Sequence, residues 1–306
     1  MSMITCGPSQ VAIVRGDLVL ATYCGGVLID LHTHSTASDG TGAPELVVAE
    51  AAAAGIDVLA LTDHDTTSGW AAAADAARLH GIALVRGVEV SCARRGTSIH
   101  LLSYLHDPAH PGLGAELELA RTSRQRRARA MQERLAQDYP LSWDDVLEQV
   151  TDGATIGRPH IADAMVARRL VSDRGEAFAT VLAKGSRYHV SHYAPDPVDA
   201  VRLVLDAGGV PVFAHPQASW RGAVVGDEVV QEMVEAGLVG LEVHHRDHDE
   251  QARTRLAAMA AAHDLLVTGS SDYHGTGKPN RLGENSTHPA AFERIEALGA
   301  LEVLRP

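Results

Sequence analysis

The sequence predicts an α/β protein, a parallel β/α barrel carrying a helical insertion, and three observations predict it. Seven short apolar runs alternate with Ala-rich helical stretches along most of the chain. Each run ends at or beside a His, Asp or Glu. From about 106 to 192 the alternation stops and only helical patterns remain. The implied organisation is a barrel built from 27–105 and 193–306, an insertion at 106–192 over the barrel mouth, and an N-terminal extension at 1–26.

The extension reads as a small β-hairpin turning at Gly16-Asp17, and it lacks the basic n-region and long apolar h-region of a signal peptide. Val27-Leu28-Ile29 is the first barrel run and leads into Asp30-Leu31-His32-Thr33-His34. A helix over 44–54 has Pro44 near its first turn and Gly55 just past its end. The run 56–61 ends in Thr62-Asp63-His64-Asp65-Thr66, and the helix after it, 71–80, stops at Gly81. The third run, 82–85, continues through Gly87-Val88-Glu89-Val90, and the fourth, 98–104, contains His100.

Beyond the insertion, 209–214 ends in His215-Pro216, 238–243 contains Glu242 and runs into His244-His245, and 265–269 leads into Asp272-Tyr273-His274. Helices at 197–207, 227–236 and 250–263 lie between these runs. Inside the insertion, 116–136 is a long helix carrying Arg121, Arg124, Arg126, Arg127 and Arg129. The stretch 142–150 opens on a Ser cap followed by acidic first-turn residues, Pro159 starts another helix, and a last one covers 173–183.

Composition bounds the function. The 306 residues suffice for a barrel with an insertion, and with 45% hydrophobic but only 4% aromatic residues the core must be built from Ala, Val and Leu. A formal charge of -13 excludes a general attraction for double-stranded DNA or an anionic membrane, so a phosphorylated substrate must be drawn by bound cations or by local arginines. No run of eighteen apolar residues occurs, which argues against a membrane span. Cys6, Cys24 and Cys92 form no disulfide or Cys-x-x-Cys pattern, which fits a reducing cytoplasm.

In a parallel β/α barrel the carboxyl ends of the strands share one face, so His32, His34, Asp39, Asp63, His64, Glu89, His100, His215, Asp272 and His274 would converge there. His32 and His34, at i and i+2 of an extended segment, point to one side and can reach one ion. The competing explanation, that polar residues simply sit where strands leave the core, predicts Ser, Asn, Lys and Gly as readily as His and Asp. Histidines with carboxylates and no cysteine point to Mn²⁺, Zn²⁺ or Fe²⁺. These are too many ligands for one ion, and Glu89 can bridge, so a cluster of two or three is expected. Such clusters activate water and clamp phosphoryl oxygens.

Taken in order, His32-x-His34 with Asp39-Gly40, Thr62-Asp63-His64-Asp65, Gly87-Val88-Glu89, His100, Ala214-His215-Pro216 and Asp272-x-His274 resemble the motifs of the PHP (polymerase and histidinol phosphatase) phosphoesterases. Gly157-Arg158-Pro159-His160-Ile161-Ala162 and the insertion resemble the branch that includes nucleoside 3′,5′-bisphosphate phosphatases and a 5′-to-3′ exoribonuclease. The resemblance implies a distorted seven-stranded β/α barrel with a trinuclear centre. One ion would take His32, His34, Glu89 and Asp272, a second Asp39, His64 and the bridging Glu89, and a third His100, His215 and His274. Asp39 stands where many relatives have His, a variant of the bisphosphatase-like branch.

Arg124 and Arg127, at i and i+3 on one helix face, are the candidates for substrate phosphate together with Arg158, since guanidinium forks match phosphate oxygens. The alternative is a solvated face paired with Glu116, Glu118 and Glu133. His160 and Asp65 are the catalytic candidates, His160 near the leaving group. Glu242 and His244 are expected on the rim or behind the ligands, and His192 as a polar residue on the approach to a helix. The expected activity is that of a cytoplasmic metal-dependent phosphoesterase acting on a small nucleotide or the end of a short oligoribonucleotide. Alternatives are histidinol phosphate hydrolysis, C–N hydrolysis of the amidohydrolase kind, disfavoured by the lack of a strand-end lysine for a bridging carbamate, and a silent nucleotide-binding module.

Overall fold

The computed structural model describes residues 26–219 and 222–306; the hairpin expected at 1–26 falls almost wholly outside them. Seven strands hydrogen-bond in chain order in one sheet: β1 (Ile29–Thr33), β2 (Val58–Leu61), β3 (Ala83–Arg94), β4 (Thr97–Tyr104), β5 (Val210–Phe213), β6 (Gly240–His244) and β7 (Leu266–Gly269). The sheet curls into a near-closed, distorted barrel. It is not wholly parallel: β4 runs against both β3 and β5, while the remaining pairs are parallel. The cause is local. Arg95 and Gly96, the only residues between β3 and β4, both have positive φ, which a two-residue hairpin turn of type I′ demands. His100 therefore reaches the centre from the middle of a reversed strand, not from a strand end.

Closure between β7 and β1 relies on the segment after β7. Thr33 bridges Tyr273, and the His34 N–H donates to the Tyr273 carbonyl at 2.8 Å. Behind this bridge the buried Asp30 carboxylate accepts from the N–H groups of Ser271 and Gly283, each at 3.0 Å. The pairing of β1 with β2 slips in register between Asp30 and Thr33, and that of β6 with β7 between Glu242 and His244. Irregularities of this kind re-aim side chains beside functional sites.

Helices α1 (Pro44–Ala53) and α2 (Trp70–His80) cover β1 to β3, packing Val47, Val48, Ala73 and Ala77 on Leu59, Leu61 and Leu84. The insertion contributes α3 (Pro111–Leu135), α4 (Trp143–Leu147), α5 (Arg158–Ala167) and α6 (Arg174–Ala179), gathered around Met131, Leu135, Ile161, Met165 and Leu182. The first half of α3 belongs instead to the barrel, where Leu113 and Leu117 join Val88, Ile99 and Phe213. Then follow α7 (Pro197–Asp206), α8 (Asp227–Glu235), α9 (Glu250–Ala262) and α10 (Pro289–Leu298). The sequence reading had no counterpart for α10, which His288 caps by accepting from the Ala290 N–H. α3 also starts earlier than expected, with His110 as its cap. Among the described residues no helix is long and apolar enough to cross a membrane.

Two outcomes follow. Asp30→Ala strands two buried N–H donors, so urea unfolding should show a loss of about 2–4 kcal/mol. His106, just past β4, packs on the Trp70 ring with Nδ1 2.8 Å from Ser103 Oγ, and burial pushes its pKa down to about 4 from 6.5. The folded protein keeps this imidazole neutral where the unfolded chain protonates it. Its contribution is therefore complete above pH 6.5 and declines as the pH falls toward 4, by about 3 kcal/mol in all. His106→Leu should flatten the stability profile over that window.

Candidate metal centre

Glu89, in β3, is the hub. Its Oε2 lies 3.2 Å from His32 Nε2, 3.1 Å from His34 Nε2 and 3.2 Å from His64 Nδ1. Its Oε1 lies 2.8 Å from His100 Nδ1 and 3.1 Å from His215 Nε2. Burial raises the pKa of this carboxyl, but the His100, His64 and His32 imidazoles outweigh burial and hold it well below the usual carboxylate range. Strands β1 and β4 and the segments after β1, β2 and β5 thus each send an imidazole to one buried carboxylate on β3.

Among the described residues, three sets of side chains present ligand atoms within 4.8 Å of one another: His32, His34, Glu89 and Asp272; His34, Asp39, His64 and His274; and His64, Glu89 and His100. His215 joins the last through Glu89 Oε1. The first set is the one the resemblance implied. His274 does not lie with His100 and His215 as expected. Its Nε2 is 3.3 Å from Asp39 Oδ1, because the Thr41 N–H holds the His274 carbonyl at 3.1 Å on the β1 side, whereas His100 and His215 come from β4 and β5.

The donor chemistry fits divalent ions. His32 Nδ1 is 3.0 Å from Glu242 Oε1, and His274 Nδ1 is 2.8 Å from the Asp272 carbonyl. With those nitrogens donating, both Nε2 lone pairs turn to the carboxylates, the orientation that outer partners impose on metal-binding histidines. His64 Nδ1, His100 Nδ1 and His274 Nε2 are buried without a well-aligned hydrogen bond. Dry, unsatisfied imidazole nitrogens among Asp39, Glu89 and Asp272 form a donor set able to hold metal ions. Glu242 also accepts from the His215 N–H at 2.7 Å and from Ser270, so it braces ligands from behind. His244 is exposed.

Other expected residues take different positions. Asp63 accepts from Ser35 N–H, Ser35 Oγ and Ser38 Oγ at 2.6–2.8 Å, which fixes the turn carrying Asp39 and keeps Asp63 out of the centre. Asp65 is likewise spent: Oδ1 accepts from Ser91 N–H at 2.7 Å, and Oδ2 from Ser91 Oγ at 2.7 Å and Arg124 Nη1 at 3.2 Å. Instead of facing the ligands it braces an arginine.

The arginine run of α3 divides. Arg121 and Arg129 pair with Glu118 and Glu133 in solvent, while Arg124 and Arg127 are buried. Arg127 Nη1 is 3.1 Å from His192 Nδ1, and Arg158 lies over the Phe178 ring. Burial, then the neighbouring Arg124 and Arg158, push Arg127 well below the usual guanidinium range. Burial, then Arg127, push His192 down to about 3, so it is a neutral acceptor. His160 is buried, accepts from the Gly157 N–H at 3.1 Å through Nδ1, and is lowered by burial. The sequence reading missed Lys278 and His245, which approach Asp272 Oδ2 at 3.0 and 3.6 Å. The adjacent His244-His245 pair was visible, but which of the two turns inward depends on the register slip after Glu242.

Adding Mn²⁺ at about a hundred times its Kd should stabilise the folded protein by about 2.7 kcal/mol per site. In a thermal-shift measurement that gain should appear in the wild type and largely vanish in Glu89→Gln, and EDTA should abolish it.

The PHP domain family matches residues 30–181. A 3′,5′-nucleoside bisphosphate phosphatase from Chromobacterium violaceum is 35% identical over 280 residues, 91% of this chain and 98% of that one. A 5′-3′ exoribonuclease from Haemophilus influenzae is 34% identical over 84% of this chain and 93% of its own length. Among solved structures, a protein from Bifidobacterium adolescentis described as a metal-dependent phosphoesterase superposes with a TM-score of 0.87 at 42% identity, over 89% of this chain and 96% of that one. The chain therefore belongs to the PHP domain family, as a metal-dependent phosphoesterase.

Proposed function

We propose that this enzyme hydrolyses a phosphate ester of a substrate that carries a second phosphate, such as a nucleoside 3′,5′-bisphosphate or a short 5′-phosphorylated oligoribonucleotide, in the cytoplasm. The observation that carries the reading is the group Arg124, Arg127 and Arg158. Three neighbouring guanidiniums, two buried and the third half-buried, have Asp65 as their one carboxylate partner among the described residues. Such a cluster is costly alone and is relieved by an anion. A substrate with one phosphate at the ligand cluster has no use for it, whereas a substrate with two phosphates occupies both. The relatives named as bisphosphate phosphatase and exoribonuclease support the same choice.

We assign two or three divalent ions, Mn²⁺, Zn²⁺ or Fe²⁺, to His32, His34, Glu89 and Asp272, to Asp39, His64 and His274, and to Glu89, His100 and His215. Ions bound there supply a nucleophilic water at neutral pH and polarise the phosphoryl oxygens. The chain's own residues do the positioning. Glu242 orients His32, Asp65 aims Arg124, and Arg127 and Arg158 take the second phosphate. Since His160 accepts through Nδ1, its Nε2 carries the proton and is the donor assigned to the leaving oxygen.

Phosphate release from adenosine 3′,5′-bisphosphate, AMP, histidinol phosphate and a 5′-phosphorylated RNA, with Mn²⁺, tests the reading. The expected result is His32-dependent turnover of the bisphosphate or RNA. Arg127→Ala should raise KM for the two-phosphate substrate about tenfold or more, the scale of one charge-assisted contact, and leave p-nitrophenyl phosphate nearly unaffected. Equal turnover of AMP and the bisphosphate would remove the second-phosphate requirement.

A further inference from the structure

One cation at the centre has no role so far. The chain has 26 cationic residues, and only Lys184 and Lys278 are lysines. Lys278 Nζ is 3.0 Å from Asp272 Oδ2, with its side chain 29% exposed. The other oxygen, Asp272 Oδ1, faces His32 Nε2 and His34 Nε2 at 3.5 and 3.4 Å. Lys278 therefore meets the ligand cluster from the segment after β7, while the three clustered arginines are carried by α3 and α5.

The loop that delivers it is pinned at both ends. The Thr276 N–H donates to Thr41 Oγ1 at 2.8 Å, and Asn280 Nδ2 donates to the Ser271 carbonyl at 2.6 Å. Gly275 has a φ of +67°, and a Cβ there would strike Thr41, while one on Gly277 would strike the Arg174 guanidinium. Gly275 thus needs its glycine for the left-handed backbone, a side chain at Gly277 would displace Arg174, and the lysine emerges beside Asp272.

Pairing with Asp272 does not by itself account for this placement. An ammonium on one oxygen of a carboxylate opposes a cation held at the other, and an anion bound beside both offsets that repulsion. Of the three N–H donors of an ammonium, one is directed at Asp272 and the others are left for that anion. A compact point charge at a partly open position suits a phosphoryl oxygen. We propose that Lys278 binds a non-bridging oxygen of the phosphoryl group undergoing hydrolysis. This inference rests on the phosphoesterase reading.

The test uses the Mn²⁺-loaded wild type, Lys278→Met and Lys278→Arg, with three readouts: metal content by mass spectrometry, binding of inorganic phosphate by calorimetry, and kcat/KM on adenosine 3′,5′-bisphosphate. Lys278→Met should keep its metal, bind phosphate roughly tenfold more weakly and lose about 100-fold in kcat/KM, the scale of one oxyanion donor. Lys278→Arg should recover part of both. Unchanged phosphate affinity in Lys278→Met would overturn the proposal. Loss of metal in that variant would overturn it as well, because Lys278 would then only brace Asp272. If the wild type binds phosphate but does not turn over the bisphosphate, the substrate reading fails while the calorimetric comparison still decides on Lys278.

Discussion

Glu89 is a carboxylate almost out of solvent, with an imidazole nitrogen within 3.2 Å on each of five sides. Removing a charge from water costs several kcal/mol, and the cost is recovered only if the surrounding groups are held in place. Much of the architecture serves that requirement. The β3–β4 hairpin brings His100 back along its own neighbour, and the bridge between His64 and Glu89 sets the segment after β2 against the hub. A wholly parallel barrel would have no strand running back past Glu89.

Around the hub stands a ring of carboxylates that face inward chain segments instead of the centre. Asp30 ties the segment after β7 to β1, Asp63 fixes the turn that bears Asp39, Asp65 takes Ser91 and Arg124, and Glu242 takes His32, His215 and Ser270. Each satisfies backbone or side-chain donors that would otherwise be buried unpaired. The site is thus organised in two tiers, one of imidazoles and carboxylates gathered around Glu89 and one holding the first in register.

The barrel and the convergence of its candidate ligands were legible in the sequence because both signals are local. Apolar runs mark the strands, and His32, His34, Asp39, His64, Glu89, His215, Asp272 and His274 lie in or just beyond them. What depends on three-dimensional neighbours was not legible. The reversal of β4 follows from two positive-φ residues, and the place of His274 from a hydrogen bond to Thr41. Asp63 and Asp65 sit in the same short motif as His64 and look like ligands until their partners are known. The basic run of α3 was open to two interpretations, and each is correct for different residues: Arg124 and Arg127 face inward, Arg121 and Arg129 outward.

Helix α3 crosses between two separate apolar clusters, with Leu113 and Leu117 in the barrel's and Met131 and Leu135 in the insertion's. Arg124 and Arg127 lie on the stretch between them. The candidate ligands all come from the barrel strands and the segments after them, whereas the arginines we assign to the second phosphate lie on α3 and α5, so under that assignment the chemistry and the choice of molecule are written in different parts of the chain. On that assignment, changes confined to the helical insertion would alter which molecule is accepted while leaving the Glu89 cluster as it is.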